Sequence, residues 1–123
     1  MLENISDITT DQLISVTQQA DLDGYRFVTT SCVDNNNGTL DLIYHYDLDG
    51  VLKQFRLQVT HETEVPSISR IFYAALLVEN EIKELFNVNI IGIVIDYGGH
   101  LLLSKGAPES PMAYPNQITI ERR

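Results

Sequence analysis

A turn signal in the middle of the chain constrains the fold more than any other feature. Asp49-Gly50 lies between two runs in which apolar and polar residues alternate. Asp-Gly readily adopts the positive φ angles of a tight hairpin turn, and a period of two is that of a half-buried strand. The apolar positions are Leu40, Leu42, Tyr44 and Tyr46 in the first run, and Val51, Phe55, Leu57 and Val59 in the second. We therefore predict an antiparallel hairpin.

The segment before the hairpin is predicted to form a helix and a strand. Thr9 or Thr10 is a suitable N-cap for a helix over residues 10–20, and Asp23-Gly24 ends that helix. Residues 25–33 are rich in aromatic and β-branched side chains, and a run of asparagines follows them. This composition favours a strand and then a turn.

The segment after the hairpin is predicted to form a second, longer helix. Pro66 disfavours helix at the residue before it, and Ser67 is a good N-cap. We predict an amphipathic helix from Ser67 to Phe86, broken once near Leu77. Its apolar residues recur mostly at spacings of three and four: Ile68, Ile71, Phe72, Ala75, Val78, Ile82, Leu85 and Phe86.

The last third of the chain divides into a strand and a tail. Residues 90–95 form a β-branched run that predicts a central strand buried on both sides, with Gly92 marking a close backbone approach. Gly98-Gly99 predicts a turn into a strand over residues 100–103. We expect an α+β domain over residues 1–103. Residues 104–123 are rich in proline and predict an extended tail, with one short strand at 118–120.

Composition excludes several classes of function. The chain has 17 acidic residues against 8 Lys and Arg, a net charge of −9, so nucleic acid is not an expected partner. No apolar run approaches the roughly 20 residues of a membrane span, and the first residues lack the basic start of a signal peptide. We therefore expect a cytosolic protein. Its single cysteine, Cys32, cannot form an internal disulfide or hold an iron–sulfur cluster alone.

Polar residues with catalytic or metal-binding chemistry are few. The three histidines, His45, His61 and His100, show no paired spacing, so no metal site is expected. Glu79 and Glu81 lie about 200° apart on a helix, so if one faces water the other faces the fold or a partner. Three interpretations remain open for the acidic group that also includes Glu84: a solvated helix face, an interface, or an acid and base pair that acts with His100.

The same helical segment resembles a known family. Val65-Pro66-Ser67-Ile68, Phe72-Tyr73-Ala74-Ala75 and the run from Glu79 to Phe86 are similar to the signature of the 30-kDa subunit of complex I, the NADH:quinone oxidoreductase of bacteria. The family pattern has P-S-V or P-S-I, then P-A-A after an apolar residue, then E-R-E-x-x-D-L-F-G, at the spacing found here. This chain departs from the pattern at four positions: Tyr73 for proline, Asn80 for arginine, Glu84 for aspartate and Asn87 for glycine.

A short, acidic version of this family without the long C-terminal extension is similar to the corresponding small subunit of energy-converting, Ech-type nickel–iron hydrogenases. The resemblance implies a non-catalytic subunit of the hydrophilic arm that holds no cofactor. It would pack on the large subunit that carries the nickel–iron centre, beside a small iron–sulfur subunit, and associate with the cytoplasmic face of the membrane through its partners.

The resemblance also selects candidate site residues. It implies that Glu79, Glu81 and Glu84 are fold or interface carboxylates, and that Phe86 is a core anchor or an ordinary helix-packing residue. In the tail, the expected interface anchors are Met112, Tyr114 and Ile118, because aromatic residues and methionine are enriched in interface cores. The alternatives are a frayed terminus and a stand-alone α+β binding module.

Overall fold

The computed structural model describes residues 5–95, which form two helices, a mixed four-stranded sheet and a small parallel sheet. The predicted α+β class is confirmed. The sheets have strand orders β1-β4-β3-β2 and β5-β6. The elements are β1 (Ile5–Ile8), α1 (Thr10–Leu22), β2 (Arg26–Asp34), β3 (Leu40–Leu48), β4 (Val51–Val59), β5 (Glu64–Pro66), α2 (Ala75–Phe86) and β6 (Asn89–Ile91).

The predicted hairpin is formed by β3 and β4. These strands pair antiparallel, with Leu48 opposite Val51 across the turn. Asp49 and Gly50 both have positive φ angles, 52° and 89°, as a two-residue turn of this hand requires. The Asp47 side chain accepts a hydrogen bond from the Gly50 amide at 3.0 Å, which closes the turn.

One face of the hairpin lies at the centre of the core. Both β3 tyrosines, Tyr44 and Tyr46, are buried, and the two helices contribute side chains to the same apolar cluster. Thr17 of α1 and Tyr46 share a buried hydrogen bond of 2.8 Å between their hydroxyl groups. Helix α2 packs against β2, one of the two edge strands of the sheet. The alternation in the sequence therefore predicted the buried face of β3 correctly.

Strand β1 was not predicted from the sequence. It pairs in parallel with β4, where Ile8 lies opposite Leu57, and Arg56 donates a 2.7 Å hydrogen bond to Asp7. A four-residue strand has too few positions to show a period of two. Its partner strand, β4, is also distant along the chain, so no local sequence pattern indicates that the two strands pair.

The second helix is shorter than predicted. Helix α2 begins at Ala75, and turns occupy the segment before it, where the amides of Ile71 and Phe72 both donate to the Ile68 carbonyl. Ser67 is not an N-cap. Its hydroxyl bonds to Glu79, a residue of α2 itself, so the side chain expected to start the helix is used to hold the preceding loop.

The predicted central strand over residues 90–95 is also wrong. Only Asn89–Ile91 is a strand, and it pairs with the three-residue β5 outside the main sheet. Gly92 has a φ of 78°, which ends the strand, and a Cβ at this position would meet nothing within 4 Å. This glycine therefore supplies a backbone conformation and not a close approach. Beyond it, Val94 and Ile95 are exposed.

Some predictions fall outside residues 5–95. They are the turn at 98–99, the strand at 100–103, the tail from 104 with its strand at 118–120, and the domain boundary between residues 103 and 104. Over the described part of the chain, neither helix is long and apolar enough to cross a membrane.

Candidate functional site

The residues that carry the family resemblance surround a buried carboxylate. Glu79 is 1% exposed, and both of its oxygens accept hydrogen bonds. Its Oε1 atom accepts from the Ser67 hydroxyl at 2.5 Å, and its Oε2 atom accepts from the Ile68 amide at 2.8 Å. A side chain of α2 therefore holds the loop that leads into the same helix.

Two serines extend this network to the end of the described chain. The Ser67 and Ser69 hydroxyls lie 2.7 Å apart, and the Val94 amide donates to the Ser69 hydroxyl at 2.9 Å. Because the Ser67 hydroxyl donates its hydrogen to Glu79, the Ser69 hydroxyl is the donor in the bond between the two serines. All donors then point toward the carboxylate, and hydrogen bonds aligned in this way polarise one another.

Asn80 makes a parallel connection. It is 1% exposed, and its Nδ2 atom donates to the carbonyls of Leu76 and Ile95, each at 2.8 Å. Two consecutive residues of α2 are therefore connected to the two residues at the end of the described chain. Glu79 is linked to Val94 through Ser67 and Ser69, and Asn80 bonds directly to Ile95. Asn80 stands where the family pattern has arginine, and neither it nor Ser69 was predicted as a site residue from the sequence.

Burial sets the electrostatics of this network. Desolvation raises the pKa of Glu79, while the hydrogen bonds from Ser67 and Ile68 act in the opposite direction. Burial also raises the pKa of Tyr44 well above its ordinary value, and the charge of Glu79 raises it further. Burial raises the pKa of Tyr46 to about 12, against the hydrogen bond with Thr17. Both tyrosines are therefore neutral at physiological pH.

The other predicted residues lie apart from this network. Glu81 is exposed, as the angular separation of residues 79 and 81 on a helix allows. Glu84 is half-buried, and Phe86 is half-buried and packs against the core. His100 and the three tail anchors, Met112, Tyr114 and Ile118, lie outside the described residues.

This arrangement does not bring Glu79 and Glu81 together as an acid and base pair. Both oxygens of Glu79 are occupied, and its burial excludes a substrate. Its chemistry is that of a structural carboxylate, which satisfies a buried hydroxyl and a buried amide.

The two histidines within residues 5–95 form hydrogen bonds inside the fold, and the cysteine is half-buried. His45 lies between Ser31 and Gln54, with hydrogen bonds of 3.0 and 2.9 Å, and His61 bonds to the backbone carbonyl of Asn87. Burial raises the pKa of the Cys32 thiol to about 11, so it is protonated at neutral pH. Within this range, no three His, Cys, Asp or Glu residues are grouped so that they could hold a metal ion.

The outer side of α2 carries an apolar surface that was not predicted from the sequence. Tyr73, Leu77 and Leu85 are 61%, 58% and 58% exposed. The prediction placed Leu85 on the buried face. A usable signal was present, because Leu77, Leu85 and the exposed Glu81 between them follow a spacing of four and so share one face of α2, whereas Tyr73 lies in the turn before the helix.

Comparison with known proteins finds the same fold in a solved structure and shows the family to which the chain belongs. A chain of the membrane-bound sulfane sulfur reductase, an archaeal respiratory membrane complex, shares this fold with a TM-score of 0.65 at 17% sequence identity. The similarity covers 72% of this chain and 56% of that chain, so this chain spans little more than half of that one. Comparison with curated proteins gives no match. A family model, "Respiratory-chain NADH dehydrogenase, 30 Kd subunit", matches residues 6–113. The chain therefore belongs to the 30-kDa subunit family of the respiratory-chain NADH dehydrogenase.

Proposed function

We propose that this chain is a non-catalytic structural subunit in the hydrophilic arm of a membrane-bound, energy-converting nickel–iron hydrogenase or a related complex I-like oxidoreductase. The observation that carries the proposal is the family match over residues 6–113, which includes the buried Glu79 network. A buried carboxylate with both oxygens occupied supports a scaffold and not a catalytic site.

In this proposal the redox centres belong to partner subunits. The nickel–iron centre lies in the large subunit, and iron–sulfur clusters lie in a small subunit. This chain contributes no cofactor. Its one cysteine supports this division, because burial keeps the Cys32 thiol protonated, whereas metals and clusters are bound by thiolates.

The chain reaches the membrane through its partners, on the cytoplasmic face. Its charge of −9 supports indirect association, because an anionic lipid surface repels it. The tail from residue 104 to 123 lies along the large subunit in this arrangement, with Met112, Tyr114 and Ile118 as anchors.

The test is affinity purification of the tagged full-length chain from its native cells in mild detergent, followed by mass spectrometry. We expect recovery of a nickel–iron large subunit, an iron–sulfur subunit and membrane subunits. A chain without residues 104–123 should fold but recover less of the large subunit. Recovery of a quinone-reductase large subunit would place the chain in the complex I branch. Recovery of a monomeric chain alone would overturn the proposal in favour of a stand-alone binding module.

A further inference from the structure

The outward face of α2 is built like a docking surface. We call Leu77, Glu81 and Leu85 the α2 stripe; they follow a spacing of four, the spacing of anchors when an amphipathic helix enters a groove. All three are exposed, while the opposite side of the helix buries Ala75, Leu76, Glu79 and Ile82. Leu77 and Leu85 are about 12 Å apart along the helix, with Glu81 between them.

The chain leaves the described structure beside this stripe. The Ile95 carbonyl accepts from Asn80, which is three residues beyond Leu77 on the helix. Val94 and Ile95 are 41% and 43% exposed, so they add apolar surface at this end. Residues 96–103 span at most about 29 Å when fully extended. Residue 104, where the tail that the proposed function places on the large subunit begins, is nine residues after Ile95 and so lies at most about 32 Å from it.

We propose that the α2 stripe, together with Val94 and Ile95, is the face that docks on the large subunit of the complex. The matching surface is apolar and carries a basic group opposite Glu81, because a carboxylate removed from water at an interface needs a cationic partner. This inference rests on the proposed function and adds the face and the chemistry of its partner.

A second exposed apolar group serves as the control. Leu22 is 79% exposed and Val51 is 60% exposed, and both adjoin turns rich in aspartate. The two turns lie close together, because the Lys53 Nζ atom, just after the second turn, is 4.0 Å from the Asp23 carboxylate in the first. The chain does not leave the described structure there, and this group has no helical spacing.

Cysteine footprinting tests which face is covered. Leu77→Cys, Leu85→Cys and Leu22→Cys are made separately in a full-length Cys32→Ser chain and labelled with a maleimide, both alone and in the purified complex. We expect all three cysteines to label in the isolated chain. In the complex, labelling at positions 77 and 85 should be lost while labelling at position 22 remains.

Two results would overturn the inference and leave the proposed function standing. One is equal labelling at positions 77 and 85 with and without the co-purified large subunit. The other is protection of these positions in the isolated chain, which would show that residues 96–123 of the same chain cover the stripe. Absence of any co-purified partner would instead reject the proposed function, and this inference with it.

A charge reversal tests the chemistry of the partner. Glu81→Lys should abolish recovery of the large subunit, because it places a cation against the basic group. Glu62→Lys, at an exposed turn, is the matched control and should recover the large subunit as the unmodified chain does. Equal recovery with both variants would contradict the charge complementarity.

Discussion

The Ser67 hydroxyl and the Glu79 carboxylate lie 2.5 Å apart and are both buried, so a residue in the second turn of α2 bonds to the loop before that helix. The first glutamate of the family motif is therefore part of the folded core. The exposed Glu81, two residues further on, remains available to a partner.

Removal of the Glu79 carboxylate should destabilise the domain. Glu79→Ala leaves the Ser67 hydroxyl and the Ile68 amide without their acceptor, at an expected cost of roughly 2–4 kcal/mol in the free energy of unfolding. Urea unfolding measures this change. Glu81→Ala, in the same helix but exposed, should change it by less than about 0.5 kcal/mol. Similar losses in both variants would contradict the structural role of Glu79.

The raised pKa of Glu79 predicts the sign of a pH effect on stability. The folded protein binds this proton more tightly than the unfolded chain, whose ordinary pKa is 4.5. The contribution of Glu79 is therefore fully present below pH 4.5 and is lost as the pH rises through the folded pKa.

Unfolding of the unmodified chain and of Glu79→Gln between pH 4 and 8 measures this effect. The stability of the unmodified chain relative to the variant should fall as the pH rises. Asp7, whose pKa is lowered by its hydrogen bond with Arg56, has the opposite pH dependence, but it is present in both proteins and cancels in the difference. A relative stability that rises with pH would contradict the prediction.

Ser69→Ala should release the segment that leads to the tail. The substitution removes the hydroxyl that accepts from the Val94 amide and is expected to cost roughly 1–2 kcal/mol in stability. Native-state hydrogen exchange should show faster exchange at the Val94 amide. Ser15→Ala is the control: the Ser15 hydroxyl is exposed and donates to the Gln12 carbonyl within α1, so its removal should leave the Val94 amide unchanged.

Asn87 should respond to substitution through its backbone conformation. It ends α2 with a φ of 57°, in the left-handed region, at the position where the family pattern has glycine. Asn87→Gly should stabilise the domain by up to about 1 kcal/mol, and Asn87→Ala should destabilise it by about 1 kcal/mol, because a Cβ is disfavoured there. Thermal unfolding of the two variants checks the order, and a more stable alanine variant would contradict it.

Local signals in the sequence predicted the elements whose stabilising contacts are local. The β3 and β4 hairpin depends on its own alternation and on the Asp49-Gly50 turn. The start of α1 was also predicted, because Thr9 is its N-cap and the Gln12 side chain accepts from the Thr9 amide. The motif spacing between residues 65 and 88 was sufficient to indicate the family that the comparison shows.

Pairings between distant residues decided the rest. Strand β1 forms because its backbone pairs with the edge of β4, and β6 pairs only with the short β5. Neither strand could therefore be predicted from its own residues. Helical geometry required residues 79 and 81 to face different ways, but only the fold determined that Glu79 is the buried one. A serine expected to cap a helix instead bonds to a carboxyl group twelve residues later, because buried carboxyl oxygens need hydrogen-bond donors and the folded loop supplies them.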